Sequence, residues 1–260
     1  MDLPTDLADI HAALAPAGLD TIGVADGAGW QDLLPGCQSV VVVGSGGPRL
    51  FAALQGWLAE DPTRLRDRTH PLDDFVAAHI STLDPAGWDG TPDRMWAPCA
   101  AGGPRVDFRR LAVDAGLGWL SRTGLLLNPR HGLWMGLRAA LFTTTRLAPT
   151  GPLAGPGPCA GCSAPCLSAC PGDAMTRTPT VGNPSAWDWR ICRDFRDDQP
   201  CRTRCDVRNA CPEGASSRYP DLAQHYHNDH SGTGRAALAR SLGVAPGGGQ
   251  DPGWHPDDQR

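Results

Sequence analysis

Apolar residues first recur at helical spacing. Leu7, Ile10 and Leu14, with His11 beside them, follow Thr5 and Asp6. This predicts a short amphipathic helix capped by Thr5 or Asp6. Ala17-Gly18-Leu19-Asp20 ends it, and Thr21 to Val24 predicts a short strand. The period then disappears. Val40 to Val43 is an unbroken β-branched run between Gly36 and Gly44-Ser45-Gly46-Gly47, the pattern of a central strand buried on both faces. The four-residue glycine stretch after it is an ordinary turn or a phosphate cradle, but it lacks the full dinucleotide fingerprint.

Helical spacing returns after Pro48, through Leu50, Phe51, Leu54, Trp57 and Leu58. It recurs from Pro71 to Leu83, with Phe75, Val76, His79 and Ile80 on the inner face. His79 on such a face reads as a packed histidine. Residues 84–104 are rich in Pro, Gly and Asp and predict an irregular loop. Phe108, Leu111, Ala112 and Ala115 predict a helix stopped by Gly116. Two further strands are expected at 125–127 and 139–145. Residues 150–158 form a Pro/Gly linker that marks a domain boundary. Short helices are expected at 219–226 and 234–242, ahead of a disordered polar tail over 247–260. The pattern divides the chain into an α/β domain at 1–150, a small loop-rich domain at 151–218, and terminal helices with a tail at 219–260.

Composition removes some chemistry. The chain has 260 residues and a formal net charge of -5, which gives no general reason to expect nucleic-acid binding. Its 23 basic residues are all Arg; without Lys, a P-loop lysine and a lysine Schiff base are both excluded. The first twenty residues carry four Asp, no basic stretch and no long apolar core, so a cytoplasmic protein without membrane association is expected. Thiols stay reduced there, and clustered cysteines become metal ligands rather than disulfides.

The cysteines supply the chemistry. Eight of the ten fall in two quartets that each end in Cys-Pro: Cys159-x2-Cys162-x3-Cys166-x3-Cys170 and Cys192-x8-Cys201-x3-Cys205-x5-Cys211. Four thiols in so short a run suit a [4Fe–4S] cubane better than zinc, which prefers separated Cys pairs. A run ending in Cys-Pro is the signature of a bacterial two-cluster ferredoxin, where the last Cys of each run ligates the other cluster. On that pattern Cys159, Cys162, Cys166 and Cys211 hold one cluster, and Cys170, Cys192, Cys201 and Cys205 hold the other. The alternative is one cluster on the first run, with the later cysteines binding zinc or nothing. Arg202, Arg204 and Arg208 interleave the second run, and nearby cations raise a cluster's potential. Cys37 and Cys99 lie apart and read as inert thiols.

The segment Ala115-Gly-Leu-Gly-Trp-Leu-Ser-Arg-Thr-Gly-Leu-Leu-Leu-Asn-Pro-Arg-His-Gly-Leu-Trp134, followed by the cysteine runs, resembles the epoxyqueuosine reductases. In that family an AGLGW segment, a Pro-x-x-Gly-x-Trp turn and a double-cluster ferredoxin domain occur in this order. The turn is also similar to that of the cobalamin-processing decyanase/dealkylase family. The layout of the first 150 residues is similar to both, and to the cobalamin core of reductive dehalogenases.

The resemblance implies a nitroreductase-like, cobalamin-binding α/β domain followed by the small two-[4Fe–4S] ferredoxin domain. It implies an iron–sulfur oxidoreductase that passes electrons from the clusters to a bound corrinoid. Gly116, Gly118, Trp119, Asn128, His131, Gly132 and Trp134 would then form the cofactor site. Glycines would admit the planar macrocycle, the tryptophans would offer flat apolar surface, and His131 is a candidate axial ligand. The implied partners are a small electron-donor protein or reductant, with tRNA or a corrinoid as substrate. Reductive removal of a corrinoid's upper ligand and plain electron transfer are the alternative functions. The family's proton-donating acid lies in an Asp-x-x-Pro-type stretch. Here the aligned stretch is Cys99-Ala-Ala-Gly-Gly-Pro-Arg-Val-Asp-Phe, and Asp107 is the nearest carboxylate, a substitute donor or the cap of the following helix. The helical repeats that many of those reductases carry at the C-terminus are missing from this sequence.

Overall fold

The structure is a computed structural model that describes residues 5–67, 70–83, 94–96, 106–180, 184–196, 200–229 and 232–244. The expected disordered tail, Cys99 and most of the expected 84–104 loop lie outside these residues.

The N-terminal elements follow the pattern of the chain: α1 (Thr5–Leu14), β1 (Thr21–Asp26), β2 (Ser39–Gly46), α2 (Arg49–Glu60), α3 (Thr63–Asp67) and α4 (Pro71–Ile80). Then come β3 (Arg94–Trp96), α5 (Phe108–Asp114), β4 (Trp119–Leu120), β5 (Leu126–Leu127) and β6 (Met135–Thr143). Past the cysteine runs and their two short helices, α6 (Trp189–Arg196) and α7 (Asp206–Asn209), the chain ends in α8 (Asp221–Asn228) and α9 (Thr233–Ser241). The fold is mixed α/β. Its sheet runs β1-β2-β6-β3, antiparallel throughout, and β4 pairs with β5 as a separate ribbon.

All eight residues of β2 are buried, because both faces of the sheet are covered. Side chains alternate across a strand. Val41 and Val43 therefore join a core with Leu7, Leu14, Phe51, Leu54 and Phe75 from the first helices. Val40 and Val42 join a second core with Leu111 and Ala112 of α5 and Phe142 of β6. A polar residue anywhere in the valine run would be buried without a partner. The register shifts between Val43 and Gly44, where β2 passes Gly136 at the start of β6.

Four features depart from the expected elements. β6 begins at Met135 rather than 139. Within the expected irregular loop, 94–96 pairs with β6 as an edge strand. Leu125 is exposed, leaving only two residues in β5. The helix from Pro71 stops at Ile80, where Ser81 Oγ and Thr82 Oγ1 turn back to the carbonyls of Ala78 and His79 (2.8 and 2.7 Å). His79 is packed as expected, its Nδ1 2.8 Å from the Phe75 carbonyl.

The Pro/Gly linker is fastened where it leaves the sheet. Thr150 Oγ1 accepts from Val24 N–H at 2.8 Å and donates to the Ala115 carbonyl at 2.7 Å. The terminal helices belong to the first core: Tyr219, Ala223, Leu238 and Ala239 are buried with Leu7, Phe51 and Trp134. No helix among the described residues is long and apolar enough to cross a membrane.

Candidate metal centres

Two short turns shape the first cysteine run. Pro158–Ala160 and Pro165–Ser168 are single 3₁₀ turns, and Ala164 between them adopts a left-handed conformation (φ 58°). The run has one residue more between Cys162 and Cys166 than bacterial ferredoxins have. The left-handed Ala164 absorbs it and points its N–H at Cys162 Sγ, 3.3 Å away.

Cys159, Cys162 and Cys166 line one small cavity that opens to the surface, and the fourth cysteine there is Cys211, from the second run. The rest of the wall is largely apolar, including Leu127, Leu133, Pro165 and Pro212. The remaining thiols gather separately: Cys170, Cys192 and Cys205 are the charge neighbours of Cys201. The space thus sorts the eight cysteines into two sets, each with three from one run and one from the other.

No group of His, Cys, Asp or Glu among the described residues is arranged to hold one metal ion. A cubane takes one thiolate per iron and therefore needs four sulfurs spread around a space. Crowded and part-buried, the thiols resist ionisation, and only a bound cation would hold them together as thiolates. Burial, then mutual repulsion with Cys192, Cys170 and neighbouring Cys205, raises the pKa of Cys201. Burial raises Cys166 as well, followed by repulsion from Cys159. Cys211 is raised by burial and by Cys166, Cys159 and Cys162, against a lowering hydrogen bond from the Glu213 N–H. Burial likewise raises Cys205, against the Arg208 N–H. With Ala174 N–H 3.3 Å from Cys170 Sγ, backbone donors approach sulfurs in both sets. Such donors favour thiolate, whose charge a bound metal would compensate.

The expected arginines behave differently from one another. Arg204 pairs with Asp206 at the surface (3.1 Å). Arg208 turns inward: its guanidinium donates to the carbonyls of Leu133 and Met135 (2.8 and 3.3 Å) and lies 4.6 Å from the ring centres of both Trp134 and Tyr219. It ties the second cysteine run to the start of β6. Arg122, which the sequence reading did not single out, lines the first cavity and donates to the Cys159 carbonyl at 3.3 Å. Its signal lay in the AGLGW segment, three residues past Trp119.

The residues expected to hold a corrinoid are engaged within the chain. Trp134 is fully buried in the first core, edge-on to Tyr219, and presents no free face. A Cβ on Gly116 would sit 2.6 Å from the Thr150 carbonyl oxygen, and one on Gly118 would overlap Leu127 backbone. Both glycines therefore admit the chain itself. Trp119 donates from Nε1 to the Gly155 carbonyl (3.1 Å) and carries Gly157 on its ring. Asn128 closes its turn, donating to the Leu117 carbonyl (2.7 Å) and accepting from the N–H groups of Arg130 and His131 (2.9 Å each). Gly132 (φ 55°) lies against the Glu213 carbonyl. His131 is buried, with Nδ1 2.9 Å from Ser217 Oγ. Burial lowers its pKa, against the opposing influence of Asp20. Asp107 is the N-cap of α5 and accepts from Arg110 N–H at 3.1 Å.

The fold is thus mixed α/β, with an antiparallel sheet followed by two interleaved sets of four cysteines, the arrangement expected from the spacing of the two runs. No family model matches the chain. In sequence it is similar to the epoxyqueuosine reductase of Synechococcus sp. (strain RCC307), 35% identical over 133 residues, which are 46% of this chain and 38% of that protein. The matched region is thus well under half of the relative's length. In fold it is similar to the epoxyqueuosine reductase of Streptococcus thermophilus (TM-score 0.53, 14% identity, 92% of this chain and 75% of that one). It is similar also to an epoxyqueuosine reductase solved with a tRNA-Tyr epoxyqueuosine-modified stem loop (TM-score 0.51, 18% identity, 83% and 67%). The resemblance to epoxyqueuosine reductases drawn from the AGLGW segment and the cysteine runs is therefore present in both sequence and fold.

Proposed function

We propose that the chain is an iron–sulfur reductase of the epoxyqueuosine-reductase type, with two [4Fe–4S] clusters on exchanged cysteine quartets. The observation that carries this reading is the crossing of Cys211 into the cavity of Cys159, Cys162 and Cys166, and of Cys170 into the set of Cys192, Cys201 and Cys205. When bound, such clusters supply one-electron transfer. The chain's own residues approach the sulfurs with backbone N–H groups, line the first cavity with leucine and proline side chains, and place Arg122 beside it. Arg208 keeps the second run in register with the sheet. The substrate suggested by the relatives is epoxyqueuosine in tRNA, and the electron donor a small redox protein in the cytoplasm.

A corrinoid finds no cradle in the residues expected to form one, since Trp134 is buried and Gly116, Gly118 and Gly132 face backbone. No step is assigned to it. This favours a second reading, an electron-transfer protein that serves a separate reductase.

Anaerobically purified protein should carry about eight iron atoms per chain, four for each cluster. Cys211→Ala and Cys170→Ala should each remove one cluster signal and leave the other. Iron content unchanged in both variants would overturn the quartet assignment. Restoration of queuosine in the tRNA of a reductase-deficient strain separates the two readings: success supports the reductase, and failure by a protein with intact clusters supports electron transfer alone. Retention of added cobalamin through gel filtration would reinstate the corrinoid.

A further inference from the structure

Arg122 stands at the first cysteine cavity with its charge unanswered. It is half-buried, between the buried Ser121 and Thr123, and lines the cavity with Cys159, Cys162, Cys166 and Cys211. Among the described residues its guanidinium makes one hydrogen bond, to the Cys159 carbonyl. No carboxylate among them lies within ion-pair distance of it; their ion pairs engage Arg49, Arg64, Arg110, Arg193 and Arg204. Glu213, the carboxylate on the same wall, is exposed and enters none of those pairs.

The turn that carries Arg122 is fixed without help from the guanidinium. Ser121 Oγ donates to the Leu125 carbonyl at 2.7 Å, and Gly124 N–H closes on the Ser121 carbonyl at 3.0 Å. The Arg122 carbonyl accepts from Ala186 N–H at 2.8 Å, in the segment that joins the two cysteine runs. The backbone therefore brings this side chain to the cysteines, and no carboxylate draws it there. Its charge reaches the sulfurs. Burial, then Cys159, raises the Cys166 pKa, and Arg122 is among the groups that oppose the rise. The second set answers to other cations, Arg196 at Cys201 and Arg208 at Cys205.

A half-buried cation without a counterion is costly to keep. Four thiolates outweigh a positive iron–sulfur core, so a cluster bound here is an anion, and it becomes more negative on reduction. A fixed cation beside it favours the reduced form and raises its potential. We propose that Arg122 is the built-in counter-charge of the first cysteine set, and that it holds up the potential of the cluster bound there. The inference rests on the cluster reading above and adds to it a residue outside both cysteine runs.

The test is an EPR-monitored reductive titration of the whole iron-loaded protein, with Cys170→Ala identifying the signal of the first cluster. Arg122→Gln keeps a donor for the Cys159 carbonyl but no charge. At a fixed potential it should shift the reduced-to-oxidised ratio of the first cluster about tenfold toward oxidised, a drop of about 59 mV for one electron. The second cluster should keep its potential. Arg122→Lys retains the charge and should stay close to the wild type. Loss of the first cluster from Arg122→Gln, with retention in Arg122→Lys, would equally support the counter-charge. An unchanged potential in Arg122→Gln, or the same drop in both variants, would overturn the proposal while leaving the clusters in place. Loss of the first cluster from both variants would overturn it too, by making Arg122 an anchor for the Cys159 turn. Wild-type protein that holds no iron would sink the cluster reading, and this inference with it.

Discussion

Asn128 closes the turn ahead of β6 with three hydrogen bonds from one buried side chain. Asn128→Leu leaves two N–H groups and one carbonyl unpaired and should cost about 3 kcal/mol, at roughly 1 kcal/mol for each lost bond. Asn128→Asp keeps both accepted bonds but turns a carboxylate oxygen toward the Leu117 carbonyl, so its denaturant midpoint should also fall. His227 gives a prediction in pH. Burial, then Arg138 and Arg208, pushes its pKa well below the ordinary 6.5. The unfolded chain therefore binds a proton that the folded chain refuses, and stability present above pH 6.5 is lost as the pH falls toward the folded value. Unfolding of the wild type should ease more steeply below pH 6.5 than that of His227→Gln; parallel curves would show that the histidine is not held neutral. At this scale the chemistry was only half legible. A glycine that admits a ligand and one that admits the chain's own backbone leave the same mark in a sequence. Gly116, Gly118 and Gly132 proved to be of the second kind, because their neighbours, Thr150, Leu127 and Glu213, arrive from other parts of the chain.

The elements were most legible where local pattern and burial agree. The valine run of β2 reads as covered on both faces and is so covered. The edge strand β3 was invisible because its three residues take their order from pairing with β6, which no local pattern encodes. The cysteine spacing carried the exchange of Cys170 and Cys211 between the two sets, since a short run cannot easily fold its fourth thiol back on its own cavity. Asp107 shows how one residue supports two readings at an element's end. Its carboxylate caps α5 by accepting from Arg110 N–H. Asp107→Ala should cost about 1 kcal/mol, the usual loss for a removed cap, whereas Asp107→Asn keeps the accepting oxygen and should be close to neutral in stability. The same pair tests proton donation. An Asn variant with wild-type stability and cluster content but no reductase activity would make Asp107 a donor as well as a cap, and full activity would leave it a cap only.

At the scale of the molecule, the cysteine region is fixed on both sides to the same core. Before it, Thr150 joins the outer edge of β1 to the end of α5. After it, Tyr219 enters the core against Trp134, and α8 and α9 add Ala223, Leu238 and Ala239 to the cover of α1 and α2. A chain ending after Arg218 keeps all eight clustered cysteines yet uncovers Trp134, Phe51 and the helix faces beside them. Tyr219 and Leu238 alone represent roughly 1.5–3 kcal/mol of burial each, and the alanines and newly exposed partners add to that. The sum is of the order of a domain's whole stability, about 5–15 kcal/mol. Such a truncated chain should therefore lose cooperative unfolding and near-UV ellipticity. It should also lose iron, because Arg208 can hold the second run in register only while Trp134 and Tyr219 are packed beneath its guanidinium. A truncated protein that kept its iron and a sharp transition would show instead that α8 and α9 lie on a core already complete without them.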